Sequence, residues 1–338
     1  MQLLKRLSEA LGPSGCETQV RQIINQEIKH YVDEIYVDKF GNLIAHKKGN
    51  SPKVMIVAHM DEIGFMIKNI EDNGLIKCSN IGESDPSIFV GEKVNIKTKE
   101  GWIKGVITTK KVCDGERQKN KVELTDIVVD TGLNKEELIK LDVEIGSYTF
   151  IEREFGFLGS EDYITGKALD DRIGCYIICE LVKKIKYLNG DIFFVFTAQE
   201  EVGLYGATTS TYNIRPDWSI VIDVTNTNEF SENPSIYVGK GPCITIKDAS
   251  MIGNRCINNW ITEIAKKNKI PIQYDVGELG TTDALNISIS RGGVPSAVLG
   301  VAIRNIHTTI GIANRKDIEN TIKILELLLK DPPKVCLV

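Results

Sequence analysis

Four apolar runs in this 338-residue chain each lead into a histidine or a carboxylate. VMIVA (54–58) is followed by His59, Met60 and Asp61. DIFFVFTA (191–198) is followed by Gln199, Glu200 and Glu201. WSIVI (218–222) ends at Asp223, and VPSAVLGVAI (294–303) is followed at short range by His307. Short continuous apolar runs suit strands buried on both faces of a sheet. In open α/β sheets, sites are built at the carboxyl ends of such strands. Asp170, in GKALDDRIG, is a fifth candidate at the mouth of a helix. The chain has only four histidines, and two fall on this edge.

Imidazole and carboxylate without thiolate suit Zn²⁺, Co²⁺ or Mn²⁺. Two ions need about five protein ligands if one carboxylate bridges them, and the pool here is of that size. Asp61 lies two residues past His59. In extended chain it is on the same side, where it can accept from the other ring nitrogen and fix the tautomer. Glu200 and Glu201 are adjacent, so extended chain points them to opposite sides. One then binds metal, and the other can act as a general base toward a water the metal activates. Taken singly these signals are ordinary. A lone His-x-Asp is usually structural, and a Glu-Glu pair is usually solvated surface. Their shared edge is what points to a metal site.

The elements that must position these residues fall into two patterns. MQLLKRLSEALG reads as an amphipathic helix rather than a signal peptide. A helix over about 17–31 and two strands around Gly41-Asn42 precede the first apolar run. From about 67 to 157 short β-rich pieces dominate, with one short helix at NKEELIKL, as in a small β-barrel or sandwich. Helix and strand then alternate again: a helix from about Asp171 to Lys186, the later apolar runs, NRCINNWITEIAKKN, and a last helix from about Asp317 to Lys330. The expected organisation is one α/β domain, 1–66 and 158–338, interrupted by a β-rich insertion, 67–157.

A net charge of −5 argues against nucleic acid as the main partner, since phosphate binding needs a concentrated basic face. No apolar run approaches the roughly 18 residues a membrane span needs. Eight scattered cysteines without a CxxC pair read as reduced thiols of a cytoplasmic protein.

VAHMDEIGF, GKALDDRIG, TAQEEVGLYGA, VIDVT, GKGP and TTDA, followed by a distal His, resemble the glutamyl aminopeptidase family of di-metal aminopeptidases. That group includes the tetrahedral (TET) and deblocking aminopeptidases, and some members have been mislabelled as cellulases. PSGCE near the N-terminus also fits, and the resemblance covers essentially the whole chain. It implies a mixed-sheet α/β/α metallopeptidase domain with an inserted small, PDZ-like β-barrel for dimerisation. It implies that Asp170 bridges two divalent metals, Zn²⁺ or Co²⁺. His59 and Asp223 complete one site, Glu201 and His307 the other. Glu200 becomes the general base, Asp61 orients His59, and the Asp170–Asp171 peptide is cis. The implied substrates are short peptides with a free N-terminus, and the implied assembly is a dimer built into a tetrahedral dodecamer.

Two departures stand out. The family usually has a Glu shortly after the last metal His, whereas HTTIGIAN has no acid before Asp317. The paired Gly before TDA is Gly280-Thr281 here. Both bear on the substrate pocket rather than on the ligands. A related di-zinc deacylase or carboxypeptidase is the alternative, but those relatives insert a differently built domain. A two-carboxylate glycosidase needs acids roughly 5 Å or more apart across a sugar and leaves the histidines unexplained. A non-catalytic assembly subunit would have lost a ligand or Glu200, and none is missing.

Overall fold

The computed structural model describes residues 1–115, 121–185, 189–330 and 332–333. Four parallel strands form its centre, in the order Asp191–Thr197, Lys53–His59, Trp218–Asn226, Ser296–Arg304. Antiparallel strands extend them on both sides into an 11-stranded mixed sheet.

Side chains alternate across a strand, and both faces of the central strands are buried. Val54, Ile56 and Ala58 pack into one apolar core with the helices Gln2–Glu9, Thr18–Ile28, Leu169–Lys184, Arg255–Lys267 and Arg315–Lys330. Met55 and Val57 enter a second core on the other face, against Tyr205–Ile214 and Ala284–Ser288. That double burial is why these strands read as continuous apolar runs. The helix expected to end near Lys186 ends at Lys184, and Lys186 lies outside the described residues.

The insertion is a closed barrel of six antiparallel strands. Its own core includes Phe65, Ile67, Ile96, Ile107 and Val129. The barrel strands run from Gly64–Ile70 to Tyr148–Ile151, a few residues earlier at each end than the expected 67–157. The next strands, Gly156–Leu158 and Ser160–Gly166, pair with each other and join the large sheet. The chain therefore leaves for the barrel just after His59 and Asp61, and returns just before Asp170.

Seven cysteines are free thiols, and Cys336 lies outside the described residues. Among the described residues, no helix is long and apolar enough to cross a membrane.

Candidate metal centre

Because the four central strands are parallel, their carboxyl ends share one edge. His59 closes the first strand, and Glu200 and Glu201 sit on the turn after Asp191–Thr197. Asp223 lies within Trp218–Asn226, which runs on past the expected end at Asp223. His307 follows Ser296–Arg304 by three residues. Asp170 arrives from the helix side, where the Asp170–Asp171 peptide is cis. Asp170 and Asp171 are non-helical, and Asp171 Oδ1 accepts from the amide of Gly174, so the regular helix starts after them.

His59, Asp170 and Asp223 each bring a donor atom into a group whose atoms lie within 4.8 Å of one another. Asp170, Glu201 and His307 form a second such group. Asp170 belongs to both. Its Oδ1 is 3.0 Å from His59 Nε2, and its Oδ2 is 3.4 Å from His307 Nε2. Glu200 and Glu201 diverge: Glu200 Oε2 lies 3.9 Å from His59 Nε2, and Glu201 Oε2 lies 3.7 Å from His307 Nε2.

Charge is badly balanced here. Asp61, Asp170, Asp171, Glu200, Glu201, Asp223 and Asp283 crowd around two imidazoles. Burial, then the Asp170 charge, pushes Glu201 up to about 8 and Asp223 up to about 7. Burial likewise lifts Glu200 well above the carboxylate range. Asp170 is buried too, but its hydrogen bonds with His307 and His59 hold it below the usual range. The hydrogen bond that His307 donates to Asp170 raises His307 to about 9. Among the described residues, the buried Asp171 Oδ2 and Asp283 Oδ1 have no hydrogen-bond partner. Nearby Arg172 and Lys167 relieve none of this, because both are spent on Glu62 and on main-chain carbonyls. Divalent cations fit such a donor set: they neutralise the excess charge, and imidazole with carboxylate oxygen suits their chemistry.

Asp61 faces His59 with both its main-chain oxygen and its carboxylate. His59 Nδ1 is 3.1 Å from the main-chain oxygen of Asp61 and 3.6 Å from its Oδ1. The carbonyl is the nearer acceptor for the imidazole, with the carboxylate just beyond it. The carboxylate also accepts from the amides of Glu200 and Glu201 and from the Ser14 hydroxyl.

Behind the site, Glu62 binds Lys167 at 2.7 Å and Arg172 at 3.1 Å, all three buried. Arg172 also donates to the carbonyls of Leu7, Ala10 and Met60. The triad thus ties the N-terminal segment to the stretches that carry His59 and Asp170, although nothing in its spacing announced it. In front, a cleft beside Glu201 and His307 is lined by Ile63, Leu169 and Ile306, with Phe89 and Ile151 from the barrel. The barrel also approaches through Gly82 (φ +79°), where a Cβ would lie 3.4 Å from the Glu201 carboxylate and 2.8 Å from Ile63. The close contact a Cβ would make is with Ile63, and the positive φ is itself one that side chains rarely adopt.

Fold and site together define a hydrolytic α/β peptidase, and the comparisons make the class specific. The chain belongs to the M42 glutamyl aminopeptidase family, whose model matches residues 41–324. Peptidases of this family are metal-dependent and act at peptide N-termini. The lysyl aminopeptidase of Pyrococcus furiosus is 33% identical, over 98% of this chain and 96% of its own. The solved TET aminopeptidase from a marine sediment archaeon of the Thaumarchaeota superposes with a TM-score of 0.94 at 32% identity, covering 98% of this chain and 97% of that one. The Pyrococcus horikoshii TET1 peptidase, described as assembling into a tetrahedron or a large octahedral shell, gives a TM-score of 0.88 at 32% identity, with 98% and 99% covered.

Proposed function

We propose that this chain is a di-metal aminopeptidase releasing N-terminal residues from short peptides. One observation carries the proposal: Asp170 is common to two donor groups, each completed by one histidine and one further carboxylate. His59, Asp170 and Asp223 would hold one cation, and Asp170, Glu201 and His307 the other. Two bound Zn²⁺ or Co²⁺ ions supply Lewis acidity toward the scissile carbonyl and toward water.

Glu200 faces the cluster without belonging to either donor group. It takes the proton of the attacking water and returns it to the leaving amine, as a general base and then acid. Burial keeps its proton affinity high in the bare protein. Asp61 holds the main chain of Glu200 and Glu201, and His59 Nδ1 is oriented by the Asp61 carbonyl. The apolar cleft receives the substrate beside Glu201 and His307, with water excluded by Phe89 and Ile151.

The assembly of the TET1 peptidase into a tetrahedron or a large octahedral shell supports a homo-oligomer here; in this reading the chain forms dimers through the barrel, and these build a closed shell that admits only short peptides. The free thiols suit a cytoplasmic setting.

A panel of aminoacyl-anilides, assayed with Zn²⁺, Co²⁺ and Mn²⁺ beside N-acylated controls, tests this. Hydrolysis confined to free-amine substrates and abolished by chelation is the expected result. Preference for the acylated controls would transfer the site to a deacylase.

A further inference from the structure

The turn bearing Glu200 and Glu201 lies outside helix and strand, yet four consecutive amides in it are tied to buried side chains. The amide of Ala198 donates to Asn42 Oδ1 at 3.0 Å. That of Gln199 donates to Glu17 Oε1 at 3.3 Å. Those of Glu200 and Glu201 donate to Asp61 Oδ1 and Oδ2 at 3.0 and 3.1 Å. Asn42 and Asp61 are fully buried, and Glu17 is 3% exposed. Gln199 has φ +58°, the left-handed region. A non-glycine residue is disfavoured there, so the turn persists because its surroundings hold it.

One of these acceptors, Glu17, belongs to the loop 13–17, far from the candidate ligands in sequence, and the same loop holds Asp61 through Ser14. The Ser14 hydroxyl donates to Asp61 Oδ2 at 2.6 Å. Glu17 Oε1 also accepts from the amide of Gly15 at 2.6 Å, and Arg21 lies 3.7 Å from Glu17 Oε2. The loop is itself pinned: Pro13 bridges to Glu62, and Glu62 exchanges hydrogen bonds with Gly12. Neither Ser14 nor Glu17 belongs to a donor group.

We infer that Glu17 and Ser14 are positioning residues for the reaction: Glu17 directly, and Ser14 through Asp61, set the main chain of the Gln199–Glu201 turn and so the aim of the Glu200 carboxylate. The inference rests on Glu200 being the general base. Proton transfer needs heavy atoms within hydrogen-bond reach, and a misplacement of about 1 Å can cost about 100-fold in rate. Acceptor geometry rather than charge is what the amide of Gln199 requires. Glutamine at 17 keeps an Oε1 acceptor, and methionine keeps only the shape.

The test uses the full-length, metal-loaded chain and reads kcat, KM, bound metal and melting temperature on one aminoacyl-anilide. Glu17→Met is expected to lower kcat roughly 30-fold with KM and metal content unchanged, and Glu17→Gln to stay within about threefold of the parent. Ser14→Ala is expected to lower kcat about fivefold, again at constant KM. Ser14→Ala removes only a hydroxyl, so it decides the matter if Glu17→Met does not fold. Unchanged kcat in the variants that fold, equal loss in Glu17→Met and Glu17→Gln, or loss that tracks missing metal overturns the inference. A parent chain inactive on every free-amine substrate would instead sink the aminopeptidase proposal.

Discussion

Glu92, in the barrel, accepts a 3.1 Å hydrogen bond from the hydroxyl of Thr309, two residues past His307. Arg153 pairs with the same carboxylate. The loop they steady carries two left-handed residues, Asn305 and His307, so the inserted domain helps fix one candidate ligand. Thr309→Val removes the donor and leaves the Arg153 pair. It should cost about 1 kcal/mol of stability and weaken metal binding about threefold to tenfold by loosening His307. Calorimetric Zn²⁺ titration checks this. An unchanged affinity would mean that the loop is held without the barrel.

Glu200 and Glu201 should separate on mutation. Glu200→Gln leaves both donor groups intact but cannot accept the proton of water, so metal stays bound and kcat falls at least about 100-fold. Glu201→Gln removes an anionic donor and should lower metal stoichiometry at dilute Zn²⁺. Elemental analysis beside kinetics decides. Equal loss of metal in both variants would contradict the division of roles.

The central strands and their shared edge were legible because each strand is buried on both faces, which leaves an unbroken apolar run such as 54–58. The existence of the barrel was legible from short β-rich pieces, but its end was not. Ser160–Gly166 has the same strand character as the barrel pieces and pairs with Gly311–Asn314 in the large sheet. Alternation gives a strand's period and says nothing about its neighbour. The partners of Asp61 were hidden for a related reason: His-x-Asp spacing assumes extended chain, whereas Glu200 and Ser14 reach Asp61 only through the tertiary fold. PSGCE was visible as a motif, and its hydrogen bonds toward the turn bearing Glu200 and Glu201 were not.

Assembly should follow the barrel. Val106 and Trp102 lie exposed on one barrel strand, beside the Lys104 side chain that pairs with Glu152. Light scattering should give a mass far above the 37.6 kDa of one chain, and folded proteins should be spared while short peptides are cut. A monodisperse monomer with full peptidase activity would contradict the shell without touching the chemistry at Glu200.

The bare site should make metal binding strongly pH-dependent. Asp223, Glu201 and His307 are held at about 7, 8 and 9, each above its ordinary value. Groups raised in the folded state keep protons that the unfolded chain has already lost. Metal-free stability from this site is therefore fully present below the ordinary carboxylate range, about pH 4, declines as pH rises from there, and is lost once pH has passed through the folded values of about 7, 8 and 9. Cations need these donors deprotonated, so their binding releases protons and tightens over the same range. The gain in melting temperature on adding Zn²⁺ should accordingly be small near pH 5 and grow steadily toward pH 8. Scanning calorimetry with and without metal, in buffers matched for ionic strength, measures it. A gain that is flat with pH, or larger on the acid side, would mean that Asp223, Glu201 and His307 are not the donors.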